Sequence, residues 1–118
     1  MHSERLLEHF KNPRNVGQLA PPAVTIDAAN PACGDMMRLA ARLEDGRVAE
    51  VRYQVRGCTA SIAAGSALTS WMEGKTREEL KALVPEVIER ELDGLEPASK
   101  HAAVLCVDAV KRLLETLR

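Results

Sequence analysis

The chain has 118 residues, 46% apolar and 28% charged, enough for one compact domain over residues 1–118 and too few for two of ordinary size. Sixteen basic against seventeen acidic residues leave a net charge of −1, and one Phe, one Trp and one Tyr offer no set of stacking rings, so nucleic acid is excluded as a partner. No stretch approaches the roughly 20 apolar residues that cross a bilayer, and Met1-His2-Ser3-Glu4-Arg5 lacks the apolar run of a secretion signal, so a cytoplasmic protein with no membrane partner is expected.

Leu6, Leu7 and Phe10 recur at helical spacing behind a Ser3 cap, and Asn12-Pro13 stops this first helix. His2 and His9 read as surface residues of that segment. After a stretch rich in Asn, Pro and Gly, the alternation in Val24 to Ala28 predicts a strand, and Asn30-Pro31-Ala32-Cys33-Gly34-Asp35 predicts a loop. Met37, Leu39, Ala41 and Leu43 alternate with polar residues, as do Val51, Tyr53 and Val55, and Asp45-Gly46 between them supplies the tight turn of a hairpin.

Beyond Gly57-Cys58 the small residues Thr59 to Leu68 predict a helix that approaches the sheet closely and ends between Trp71 and Gly74. Thr76 and Glu79 have capping-box spacing for a helix reaching Leu83; Pro85 to Leu92 gives another, ended by Gly94. From Ser99 to Leu117, Ala102, Cys106, Ala109, Leu113 and Leu117 form the apolar stripe of a long helix. Helix, three strands, then helices is the segregated order of an α+β domain.

Three cysteines form no close pair and leave one unmatched in any disulfide scheme, so in a reducing compartment they are thiols or metal ligands. Cys33 lies in a loop where Gly34 opens unusual backbone geometry and Asp35 places a carboxylate two positions from the thiol, a pairing suited to a metal. Cys58 directly precedes a helix, where free N–H groups and the helix dipole favour an anionic sulfur acting as ligand, nucleophile or sulfur acceptor. Cys106 falls on the apolar stripe, where an inert core thiol is the default. His101 stands beside that stripe near the start of the last helix, and its imidazole is a candidate to face a shared site or solvent.

Taken together, His9-Phe10-Lys11-Asn12-Pro13-Arg14-Asn15-Val16-Gly17, Asn30-Pro31-Ala32-Cys33-Gly34-Asp35-Met36-Met37, Gly57-Cys58-Thr59-Ala60-Ser61-Ile62-Ala63 and Trp71-Met72-Glu73-Gly74-Lys75 resemble the IscU/NifU-type scaffolds on which iron–sulfur clusters are assembled. The A-C-G-D and G-C-x-x-S-x-A elements, with Cys33 and Cys58 25 residues apart, carry most of the specificity. The resemblance implies a small three-stranded antiparallel sheet covered by helices, with a long C-terminal helix and a site at one end. Carried over residue by residue, Cys33, Asp35, Cys58 and His101 are the metal or cluster ligands, and Cys58 and Cys33 the sulfur acceptors.

The family's third cysteine directly follows its histidine, and here that position is Ala102. Cys106 comes four residues later, on the same helix face but about 6 Å along the axis. Either the last helix shifts by a turn to present Cys106 as an additional ligand, or the site keeps two cysteines with Asp35 and His101; the second is expected.

The resemblance further implies a scaffold rather than an enzyme. It would hold iron, or zinc, and a transient [2Fe–2S] cluster, take sulfur from a cysteine desulfurase and pass the product to apo iron–sulfur proteins. The alternative is a zinc-bound persulfide carrier, or a desulfurase-activating partner, that assembles no cluster. The Leu-Pro-Pro-Val-Lys segment read by a dedicated Hsp70-type chaperone is replaced by Leu95-Glu96-Pro97-Ala98-Ser99-Lys100, which makes that chaperone a doubtful partner.

Overall fold

The structure, a computed structural model, describes residues 1–30 and 34–117. Helix α1 (Glu4–Lys11) leads to strands β1 (Val24–Ala29), β2 (Met36–Glu44) and β3 (Arg47–Arg56), then helices α2 (Thr59–Met72), α3 (Arg77–Lys81), α4 (Pro85–Glu91) and α5 (His101–Thr116), the last preceded by a 3₁₀ turn at Pro97–Ser99. The strands form an antiparallel sheet in sequence order. This is the expected α+β arrangement.

Local signals place most boundaries. The Ser3 side chain accepts the Leu6 amide at 3.0 Å and caps α1. Asp45 and Gly46, with φ of 54° and 77°, close the β2–β3 hairpin with the two left-handed residues that match strand twist. Thr76 and Glu79 make the reciprocal capping box of α3. β3 begins at Arg47, earlier than the alternation from Val51 indicates, because a register shift at Arg42/Leu43 interrupts its period without ending the ladder.

One sheet face carries the core. Met37, Leu39, Ala41, Val51 and Tyr53 are buried against helices, while Arg38 pairs with Asp27 at 2.8 Å and Arg42 with Glu50 at 3.0 Å on the outer face. Helix α2 is buried almost all round, which its Ala-, Ser- and Gly-rich sequence permits. A Cβ at Gly65 would lie 2.2 Å from the Tyr53 ring, so only glycine allows this approach, and Tyr53 Oη donates to the Ile62 carbonyl at 2.7 Å. Burial, with Cys106 nearby, pushes the Tyr53 phenol up to about 12, so it serves as a neutral donor. Among the described residues no helix is long and apolar enough to cross a membrane.

The expectation that His9 lies on the surface is corrected. Leu6 and His9 are the buried residues of α1, and Phe10, at helical spacing from Leu6 and Leu7, is 36% exposed. His9 Nδ1 meets Ser66 Oγ of α2 at 2.7 Å and the Arg14 guanidinium at 3.1 Å, and Ser66 Oγ accepts the Arg14 amide at 2.9 Å. The guanidinium can only donate, so Nδ1 is an acceptor and the Ser66 hydroxyl turns its proton toward it. A histidine satisfied in this way can be covered at little cost. His2 is half-buried.

Candidate metal and cluster site

Three elements deliver the site to one end of the sheet. The β2–β3 ladder pairs Met36 with Arg56, and the next step of the same register sets Asp35 opposite Gly57. Cys58 then occupies the N-cap of α2 with extended backbone, its side chain making no capping bond and free to turn toward Asp35. His101 is the first residue of α5, tied to the end of β1 by Asn30 Nδ2 donating to the His101 carbonyl at 3.5 Å. Asn30 and Asp35 are joined by a backbone bond at 2.9 Å, and Gly34, with φ of 75°, donates to the Asn30 carbonyl at 2.8 Å. That left-handed conformation suits glycine.

Asp35, Cys58 and His101 each aim a ligand atom into one space, all within 4.8 Å of one another. Cys58 Sγ lies 3.3 Å from Asp35 Oδ2 and 3.6 Å from His101 Nε2, and His101 Nε2 lies 3.5 Å from the same Oδ2. The carboxylate is buried, whereas Cys58 is exposed. Burial pushes the Asp35 carboxyl up, but hydrogen bonds from Ser61, the Cys58 thiol and the Cys58 N–H, with His101 nearby, outweigh it and hold the group below its ordinary value. The site thus presents a carboxylate oxygen, a sulfur and an imidazole nitrogen to one point open to solvent, a mixed donor set that suits zinc and iron alike.

Of the residues singled out from sequence, Asp35, Cys58 and His101 are brought together. Cys33 lies outside the described residues. Cys106 is elsewhere: it is fully buried in α5, and burial pushes its thiol far above the usual range. The last helix is not shifted to present it, since the residue that reaches Asp35 and Cys58 is His101, with Ala102 buried beside it. Two neighbours of the site carried no assigned role in the sequence. Ser61 Oγ donates to Asp35 Oδ2 at 2.5 Å, and Gly57 leaves room for the carboxylate. The spacing of three between Cys58 and Ser61, one turn along the start of α2, was the available signal.

Residues 1–117 match the family model described as the NifU-like N terminal domain. The chain belongs to that family. It is 39% identical over 114 residues to the iron-sulfur cluster assembly scaffold protein IscU of Azotobacter vinelandii, covering 93% of this chain and 88% of that one. It is 36% identical over 118 residues to a Drosophila melanogaster protein called an iron-sulfur cluster assembly enzyme, covering 97% and 76%. The N-terminal part of a nitrogen-fixing NifU-like protein from Brucella abortus shares the fold, with a TM-score of 0.71 at 22% identity over 98% of this chain and 95% of that one.

Proposed function

We propose that the chain is a scaffold for iron–sulfur cluster assembly, and that Asp35, Cys58 and His101, with Cys33, hold the metal and the growing cluster. The observation that carries this reading is the convergence of a carboxylate, a thiol and an imidazole within 4.8 Å at an exposed end of the sheet, in a chain whose relatives bear the scaffold name. Iron and sulfur are the cargo here, not a resident cofactor. Cys33 enters on its place in the sequence, beside Gly34 and Asp35.

The chemistry follows from the donors. Thiolates are the usual protein ligands of iron–sulfur centres, and nitrogen ligation is accepted there as well. A carboxylate and an imidazole in place of further thiolates keep the site within reach of zinc, which competes for the same atoms. The exposure of the Cys58 thiol supports it as the acceptor of a persulfide sulfur, with Cys33 as the second acceptor. A cysteine desulfurase supplies that sulfur: the acceptor thiolate attacks the outer sulfur of the donor's persulfide and the donor's own thiolate leaves. An external thiol or one-electron carrier then gives two electrons per sulfur to release it as the sulfide of a transient [2Fe–2S] cluster, which apo iron–sulfur proteins receive. The setting is cytoplasmic, where thiols stay reduced. The chain turns over no substrate alone, so it acts as a binding scaffold rather than an enzyme.

Anaerobic reconstitution with ferrous iron, a desulfurase and cysteine tests this. Visible charge-transfer absorption with matched iron and sulfide, lost in Cys33→Ala and in Cys58→Ala, is the expected result. Zinc binding and persulfide formation without a cluster would replace the scaffold by a sulfur carrier.

A further inference from the structure

The Asp35 carboxylate has two oxygens, and the torsion that chooses between them is broad for this side chain. In the structure Oδ2 faces both Cys58 Sγ and His101 Nε2, and it is also the oxygen that accepts the Ser61 hydroxyl at 2.5 Å. Ser61 is fully buried on the first turn of α2. A helical serine commonly turns its hydroxyl back to the carbonyl of the preceding turn. Here, among the described residues, its hydroxyl meets Asp35 and the Cys58 thiol, the latter at 3.5 Å. The hydroxyl is carried by the same rigid helix whose N-cap is Cys58, so carboxylate and thiol are referenced to one frame.

We infer that Ser61 is a positioning residue that aims Asp35 Oδ2 at the metal position between Cys58 and His101. The inference rests on the scaffold reading and deepens it, since Ser61 acts on the metal only through Asp35. Outer hydrogen-bond partners of ligands typically alter metal affinity by about 10–100-fold, because an unheld ligand must be ordered when the metal arrives.

The test uses Co(II) as the probe, read by its thiolate-to-metal absorption, on the full chain and on S61A, S61T, D35A and D35A/S61A. Ser61→Ala is expected to weaken Co(II) by about tenfold or more, and Ser61→Thr, which keeps the hydroxyl, to hold it within about threefold of the parent. In the D35A background the same S61A change is expected to alter affinity less than about twofold, because its route to the metal has gone. Equal losses in both backgrounds would mean that Ser61 acts through the helix and would overturn the inference. So would parent-like affinity in S61A while the absorption still depends on Cys58. A parent spectrum unchanged in Cys58→Ala would instead overturn the scaffold site, and the role of Ser61 with it. Because S61A alters a buried position, a second measurement uses the parent alone. NMR should show a slowly exchanging Ser61 hydroxyl proton coupled to the Asp35 carboxylate; a freely exchanging one overturns the assignment.

Discussion

A Cβ built on Gly57 lies 2.6 Å from Cγ of Asp35 and 2.8 and 2.9 Å from its two oxygens. These residues face each other one step beyond the last β2–β3 pair, so side chains there compete for one space. Gly57→Ala is expected to expel the carboxylate from its bonds with Ser61 and Cys58. Overpacking of this kind costs about 1–3 kcal/mol, and the displaced ligand weakens metal by about tenfold. Urea unfolding and a Co(II) titration measure the two effects separately. Unchanged affinity would mean that the carboxylate does not need its present seat.

His9 predicts a pH dependence that has nothing to do with metal. Burial, and then the Arg14 guanidinium, hold its imidazole below the ordinary value of 6.5. The unfolded chain therefore binds the proton first, and stability rises with pH through that window. The contribution is fully present above about pH 6.5 and is lost as pH falls toward the lower native value. His9→Asn keeps an acceptor near Nδ1 and does not titrate. Unfolding free energies from about pH 8 down to about pH 5 should fall more steeply for the parent than for this variant. Parallel profiles would remove His9 as the cause.

The cysteines should separate by reactivity. Cys58 is exposed, whereas Cys106 is fully buried with its thiol pushed up by burial. Brief alkylation of the folded chain, read by peptide mass, is expected to modify Cys58 and spare Cys106 until denaturant is added. Cys106→Ala should cost about 1 kcal/mol of stability and leave zinc affinity unchanged. A tenfold loss of zinc would return Cys106 to the ligand set.

Gly65 sets two effects against each other. Alanine in a helix interior is favoured over glycine by about 1 kcal/mol, but the added methyl would meet the Tyr53 ring at 2.2 Å. The ring is buried and anchored through its hydroxyl to the Ile62 carbonyl, so it cannot swing aside. Overpacking wins, and Gly65→Ala should lower stability by about 1–3 kcal/mol in urea unfolding. A more stable variant would show that α2 can move off the sheet.

Much of the fold was legible because its signals are local. The Ser3 and Thr76 caps, the Asp45-Gly46 turn and the strand alternation each depend on residues a few positions apart. Burial of particular side chains was harder to read. His9 looked solvated because nothing within α1 announces that Ser66, 57 residues later, would satisfy Nδ1. Phe10 shares helical spacing with Leu6 and Leu7, yet α2 covers the face that carries His9.

The site divides in the same way. By itself the sequence determined which residues are candidates to hold a metal, and it determined that Cys58 opens a helix, because glycine, cysteine and a small-residue run are neighbours in the chain. Only the tertiary structure decided that Cys58 Sγ comes within 3.6 Å of His101 across 43 positions, that Asp35 turns Oδ2 toward both, and that Cys106 stays in the core. The physical reason is that covalent neighbours set backbone conformation, whereas which side chains share a space depends on how β2, β3, α2 and α5 pack, and packing is a property of the whole chain.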